Sequence, residues 1–215
     1  MARPREFDET QVLDAALSVF WERGFEGASL ELLTEATGLS RASLYGAFGD
    51  KLGLFERVLE RYMDRFDGLD SSLVESTSVR EGIRAFLLRW LEITCSDKGP
   101  RGCFIQLSAS IGPEDNDVAR RVVDRNSRHV QRLLEAAIVR GQRSGELDPT
   151  ADPVQLGGLF TVVLQGLSTA ARNGRSRDEL AGVVDAAVAT LGLGPSGSRS
   201  QRDRQRALRP DESAR

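Results

Sequence analysis

Apolar residues recur along this chain at intervals of three and four, the spacing of one helix face. Nowhere do they alternate in the period-two pattern of a strand. The first run is Val12, Leu13, Ala16, Val19 and Phe20. Asp8 precedes it with Gln11 three residues on, the signature of a capping box, in which a side chain satisfies orphan N–H groups of the first turn. The signature returns as Ser78 with Glu81, Asp152 with Gln155 (Pro153 at the first helical position) and Ser176 with Glu179. Gly24 is placed to close the first helix as a left-handed C-cap. Periodicity and caps together predict helices near 8–23, 29–36, 40–47, 51–68, 78–96, 102–111, 115–144, 152–173 and 177–191, an all-α chain of about nine helices. Loops are expected at 97–102, 112–117 and 145–150.

Composition narrows the class without changing that picture. Of 215 residues, 40% are hydrophobic and 28% charged, which suits a globular protein with one or two cores. No run of 18 apolar residues occurs, and the opening MARPREFDET lacks the apolar stretch of a secretory signal, so the cytoplasm is the expected compartment. Residues 192–215 hold almost no apolar side chains. That segment cannot offset the entropy of ordering and is expected to be disordered.

The candidate chemistry begins at residues 28–51, ASLELLTEATGLSRASLYGAFGDK. Ser29 can cap a short helix with an apolar face of Leu30, Leu33 and Ala36. Gly38 makes a tight turn, Leu39 is the buried turn residue, and Ser40 caps a second short helix. Two short helices joined by a glycine turn form a helix-turn-helix, whose second helix enters the DNA major groove. Leu44 and Phe48, four apart, face inward. This leaves Arg41, Ala42, Ser43, Tyr45 and Gly46 outward. Arg41 can grip guanine in bidentate fashion, Ser43 can bond several bases, and Ala42 and Gly46 leave room for close approach. Tyr45 can reach a phosphate. Asp50 caps the next helix and puts Lys51 in its first turn, where N–H groups and an ammonium suit a phosphate oxygen.

Charge argues the other way. Residues 1–70 carry 8 Arg and Lys against 14 Asp and Glu. A protein that held DNA mainly by neutralising phosphates would be basic, so the contact must come from a small local surface.

The segment FDETQ through FERVLERY, residues 7–62, resembles the amino-terminal domain of TetR-family regulators. WERGFEGAS, TGLS and LYGAFGDKLGLF carry the likeness, and the leading RPREF is similar to a subgroup with a basic arm before the first helix. The resemblance implies DNA contacts through Ser29, Arg41, Ala42, Ser43, Tyr45, Gly46 and Lys51, with Arg3 and Arg5 of the arm reaching the backbone or minor groove. Gly46 departs from members with a bulky aromatic there, so their operators do not transfer. It further implies a division into a DNA-binding domain (1–50), an effector-binding and dimerisation domain (51–191) and the tail (192–215). Double-stranded DNA carrying a palindromic operator, a second copy of the chain and a small-molecule effector are the implied partners. Repression released by the effector is the implied mode of action.

The sequence beyond residue 51 is compatible with that. The stretches 152–173 and 180–191 are apolar over more than one stripe and rich in small residues, and by resemblance they pair with their mates in a four-helix dimer interface. Candidate walls of the effector pocket are Phe86, Trp90, Phe104, Leu107, Ile111, Phe160 and Leu164, each also a natural core residue. Cys95 and Cys103 flank a loop containing Lys98 and Arg101. Such cations lower a thiol's pKa, which opens a thiol- or electrophile-sensing alternative beside that of two small core hydrophobes. With His129 the two cysteines are thin for a metal site. An enzyme with Cys103 as nucleophile finds no phosphate loop, cofactor motif or second histidine in support. A helical adaptor that keeps this fold without DNA is the remaining alternative, favoured by the acidic head.

Overall fold

The computed structural model describes residues 7–96, 100–111 and 117–192, excluding the side chains of 109–111 and 117–120. Among these residues every regular element is a helix: α1 (Glu9–Gly27), α2 (Leu30–Thr37), α3 (Arg41–Phe48), α4 (Lys51–Met63), α5 (Ser71–Glu75), α6 (Val79–Thr94), α7 (Phe104–Ile111), α8 (Asp117–Arg143), α9 (Pro153–Arg172) and α10 (Arg177–Ala189). A 3-10 turn, Asp64–Phe66, follows α4. Arg3, Arg5, Lys98 and the tail beyond residue 192 lie outside the described residues, as does the side chain of Ile111.

The expected caps form, but only one as a full box: at Asp8 and Asp152 the acid caps with no return bond from Gln11 or Gln155 among the described residues. Asp8 accepts from the N–H groups of Thr10 and Gln11 at 3.0 and 3.3 Å. Asp152 accepts from Val154 and Gln155. The Ser176–Glu179 box is reciprocal: Glu179 N–H donates to the Ser176 hydroxyl and Ser176 N–H to the Glu179 carboxylate. At Ser78 the reciprocal acid is not Glu81 but Glu146, 68 positions away in the chain. Its carboxylate accepts from the Ser78 hydroxyl (2.8 Å) and from the backbone of Val79 (2.8 Å) and Arg80 (3.0 Å). A distant residue completes a local pattern here because an anion at a helix N-terminus is favourable wherever it comes from.

Five local expectations are corrected. Gly24 has φ 71° but ψ 174°, so it is no left-handed cap: it breaks α1 and leaves a last turn through Gly27. The break lets Phe25 stack on Phe20 (6.1 Å) and meet Phe55 edge-on (5.1 Å). On α2, Ala36 is exposed, and Thr37 takes the inward place, its hydroxyl donating to the Leu33 carbonyl at 2.7 Å. Leu39 is half-buried, not buried. Helix α4 stops at Met63, and the tighter 3-10 turn swings Phe66 against Trp90, with ring centroids 4.8 Å apart. The short α5 falls where the sequence predicted none; five residues give no readable period.

One hydrophobic core runs through the molecule. Helix α1 buries Val12, Leu13, Ala16, Leu17, Phe20 and Trp21 against α2 and α4, and α7 also packs on α1. Helix α9 lies along α8, and α10 covers α6 and α9.

Candidate nucleic-acid interface and effector cleft

Helix α3 is held from one side only. Leu44 is buried at 1% exposure and Phe48 is half-buried against Phe7, while Arg41, Ala42 and Gly46 are exposed and Ser43 and Tyr45 half-buried. The helix starts where it does because the Ser40 hydroxyl accepts from the Ser43 N–H at 3.1 Å, and the two hydroxyls lie 2.9 Å apart. It is reached through Gly38, at φ 68° and ψ 8°, a left-handed turn that costs other residues about 1–2 kcal/mol. The Arg41 guanidinium lies 5.6 Å from the centroid of the Tyr45 ring, a contact that limits where this long side chain swings.

The flanks are built in the same manner. Ser29 caps α2, accepting from Leu32 N–H at 3.3 Å. Asp50 caps α4 through Gly53 N–H at 2.8 Å. Lys51 is half-buried, its ammonium 4.6 Å from the Phe25 ring centroid and donating to the Glu26 carbonyl at 3.4 Å, so it is tethered at the α1 corner. Gly53 is dictated by close approach: a Cβ there would stand 2.1 Å from the Phe48 carbonyl oxygen.

One residue of this surface escaped sequence reasoning. The Glu31 carboxyl is held below its ordinary range by its own backbone N–H, then by the Ser29 hydroxyl, and more weakly by the Arg41 guanidinium. Its signal was an acid in the first turn of a capped helix, which reads equally well as plain dipole complementation.

Among the described residues, one cleft of about 520 Å³ lies between α4 and α8 and is lined by charged side chains, Glu56 and Glu60 facing Asp124, Arg125, Arg128 and Arg132. Two others take in residues of the expected effector pocket. One, of about 390 Å³, lies between α7, α8 and α9 and is lined by Cys103, Gln106, Leu107, Val123, Gln165, Ser168, Thr169 and Arg172. The other, of about 260 Å³, is walled by Phe66, Phe86, Trp90 and Val130, with Asp64, Asp67, Asp70 and His129 at its rim. Of the expected pocket residues, Leu107 lines the larger of these two and Phe86 and Trp90 the smaller. Phe104, Phe160 and Leu164 are core residues at 2% exposure or less and line neither. The polar wall of α9 was missed because a polar stripe on an apolar helix reads as solvated surface.

Both cysteines are free and buried. Burial pushes the Cys103 thiol up, against weaker lowering by the N–H groups of Gln106 and Ile105 and by the Tyr62 hydroxyl. Among the described residues no cation lowers the Cys103 thiol, and a guanidinium N–H of Arg101 donates to the Arg175 carbonyl at 3.1 Å; Lys98, the other expected cation, lies outside them. Cys103 and His129 line different clefts, and no group of three potential metal ligands occurs among the described residues.

A solvent-facing second helix of a capped helix-turn-helix, backed by a helical body with ligand-sized clefts, defines the class of helical DNA-binding regulators. Comparison with known proteins fixes the family. Residues 12–58 match the model of bacterial regulatory proteins of the tetR family, and residues 80–189 match the tetracyclin repressor-like C-terminal domain. The chain is 34% identical to the HTH-type transcriptional repressor ComR of Escherichia coli (strain K12), over 90% of this chain and 91% of that protein. It is 31% identical to the HTH-type regulator YezE of Bacillus subtilis (strain 168), over 69% of this chain and 77% of that one. Among solved structures, a cysteine mutant of the TetR family transcriptional regulator CifR, complexed with 26 bp double-strand operator DNA, superposes with a TM-score of 0.80 at 36% identity. That match covers 87% of this chain and 99% of CifR. The chain belongs to the TetR family of bacterial transcriptional regulators.

Proposed function

We propose that this protein is a dimeric repressor that reads a palindromic operator with α3 and releases it when a small molecule occupies the cleft between α7, α8 and α9. One observation carries the reading: Leu44 anchors α3 from behind while Arg41, Ala42 and Gly46 stay open to a groove, with Ser43 and Tyr45 at the edge of the same surface. Ser29 and Lys51, at the flanking helix starts, are assigned to phosphates. ComR is named a repressor, and CifR is complexed with operator DNA, which supports the same role here.

The dimer follows from exposed apolar area. Val154, Leu159 and Val162 on α9 and Val183 on α10 are 43–63% exposed, large side chains that a partner's α9 and α10 would cover. Among the described residues α9 alone is long and apolar enough to cross a membrane, but its packing on α8, α6 and α10 fits a core and partner helix. We place the protein in the cytoplasm with its DNA and assign it no catalytic role.

The test is selection of bound sequences from a random DNA pool by the full chain. A palindrome with half-sites about one helical turn, roughly 34–36 Å, or a multiple of it apart is expected. Recovery of no enriched sequence at low salt would overturn the reading in favour of a protein-binding adaptor.

A further inference from the structure

Release by an effector leaves open what the effector is, and the walls of the cleft constrain its chemistry. Helix α9 is apolar over most of its length, yet Gln165, Ser168, Thr169 and Arg172 sit at i, i+3, i+4 and i+7, so these polar side chains share one stripe. That stripe lines the cleft, whose remaining wall is Cys103, Gln106 and Leu107 at α7 and Val123 on α8.

The groups on the stripe are not equally available. The Ser168 hydroxyl is committed: it accepts from the Trp90 indole N–H at 2.9 Å and donates to the Leu164 carbonyl at 2.9 Å. Thr169 donates its proton to the Gln165 carbonyl at 3.1 Å, leaving only acceptor capacity. The Gln165 carboxamide and the Arg172 guanidinium have no hydrogen bond or ion pair among the described residues. No carboxylate lines this cleft among the described residues. A free guanidinium and a free amide, with no neighbouring acid among the described residues, make an electropositive, donor-rich wall. The cleft walled by Phe66 and Phe86 is the reverse, with three aspartates at its rim, one of them, Asp64, already paired with Arg61 at 3.1 Å.

We propose that the cleft binds a small organic carboxylate: the carboxylate on Arg172 and Gln165, the apolar body on Leu107 and Val123. A planar guanidinium holds a carboxylate through two parallel hydrogen bonds, which neither an amide nor an amine can reproduce. The size fits as well, since about 390 Å³ is near the small end of ligand sites, roughly 300–1,000 Å³. The assignment rests on the proposed regulatory role of this cleft.

The experiment is isothermal titration of the full chain with aliphatic acids from butyrate to octanoate and with phenylacetate, each beside its amide and its amine. At least one acid is expected to bind about tenfold or more tightly than its amide, with its amine weaker still. Arg172→Gln should bring that acid down to the amide's level without moving the thermal midpoint, and Gln165→Ala should weaken it less. Amines binding as well as acids, no acid binding at millimolar concentration, or an unchanged preference in Arg172→Gln would each overturn the assignment. Operator binding is measured in the same samples. An acid that binds through Arg172 while operator affinity stays constant supports the carboxylate site and removes its regulatory role, so the two readings fail separately.

Discussion

The ring of Phe104, the first residue of α7, lies 5.5 Å from that of Trp21 on α1, centroid to centroid. Phe104 also meets Phe55 (5.9 Å) and Tyr62 (5.7 Å), both on α4, while its neighbour Cys103 lines the α7–α9 cleft. The cleft wall therefore joins α1 and α4, the helices that back the helix-turn-helix, through an aromatic cluster. Phe104→Leu keeps the site apolar and should cost about 1.5 kcal/mol or less, whereas Phe104→Ala should cost roughly 3–5 kcal/mol. Hydrogen exchange should show α1 and α7 losing protection together in the leucine variant. Faster exchange in α7 alone would mean that the cluster transmits nothing.

Behind the same cleft, Trp90 donates to Ser168, tying α6 to α9. Ser168→Ala leaves the indole N–H buried without an acceptor, at about 1–3 kcal/mol. For a chain of this size each kcal/mol lowers the midpoint by roughly 2–4 °C. Calorimetry should show that drop for Ser168→Ala, and the double variant Ser168→Ala, Trp90→Phe should lose less than the sum of the two single variants, because no indole N–H is then left unpaired. Additive losses would show that the hydrogen bond is not what matters.

Glu146 makes the fold acid-sensitive. Burial raises its carboxyl, but the N–H groups of Arg80 and Val79, the Ser78 hydroxyl and the Arg80 guanidinium outweigh that and hold it below its ordinary value of 4.5. A carboxyl lowered in the folded state contributes in full above its unfolded value and loses that contribution as pH falls through the folded one. Glu146→Gln should therefore lower stability at pH 7 by about 1–2 kcal/mol, as loss of a cap does. It should also flatten the decline of the thermal midpoint below pH about 4.5. A variant that parallels the native protein at every pH would exclude Glu146 as the source.

These three contacts show what the sequence concealed. Local chemistry was legible: the caps at Asp8, Ser29, Ser40, Asp50, Asp152 and Ser176 form as their spacing predicted, because each needs only a neighbour two or three residues away. The faces of α3 were legible for the same reason, Leu44 and Phe48 turning in and Arg41, Ala42 and Gly46 out, although Ser43 and Tyr45 are half-buried. Glu146 reaching Ser78, and Phe104 reaching Trp21, join positions far apart in the chain, and no period encodes such a meeting. The cleft residues were legible only in part, Leu107, Phe86 and Trp90 lining clefts, because large aromatics fill cores as readily as pockets. Phe104 and Phe160 went to the core, while Gln165 and Arg172, plain surface by type, turned to the cleft.

Gly53 links the α3–α4 corner to DNA reading. With a Cβ placed 2.1 Å from the Phe48 carbonyl, Gly53→Ala must open the corner, because backbone cannot yield as a flexible side chain can. The strain should cost about 1–3 kcal/mol and tilt α3 relative to Lys51. Fluorescence anisotropy with the selected operator should show weaker binding than stability alone explains, since α3 and α4 would no longer fit the duplex together. Native affinity in a folded Gly53→Ala chain would count against a fixed α3–α4 geometry.

Arg41, Tyr45 and Lys51 separate base reading from phosphate contact. Arg41→Ala should cost about 1–3 kcal/mol on the selected operator and relax preference at one base position in each half-site, with little change on unrelated DNA. Tyr45→Phe keeps the ring beneath Arg41 and removes only the hydroxyl, so it should weaken all sequences modestly. Lys51→Ala should weaken binding uniformly and reduce the slope of log affinity against log salt by about one, because one phosphate contact releases about one counterion. The lysine's tether to the Glu26 carbonyl and the Phe25 ring matters here, since an ammonium already positioned loses little entropy on meeting the phosphate. If Arg41→Ala lowered affinity for every sequence equally and Lys51→Ala left the salt slope intact, the roles given to the two cations would be wrong.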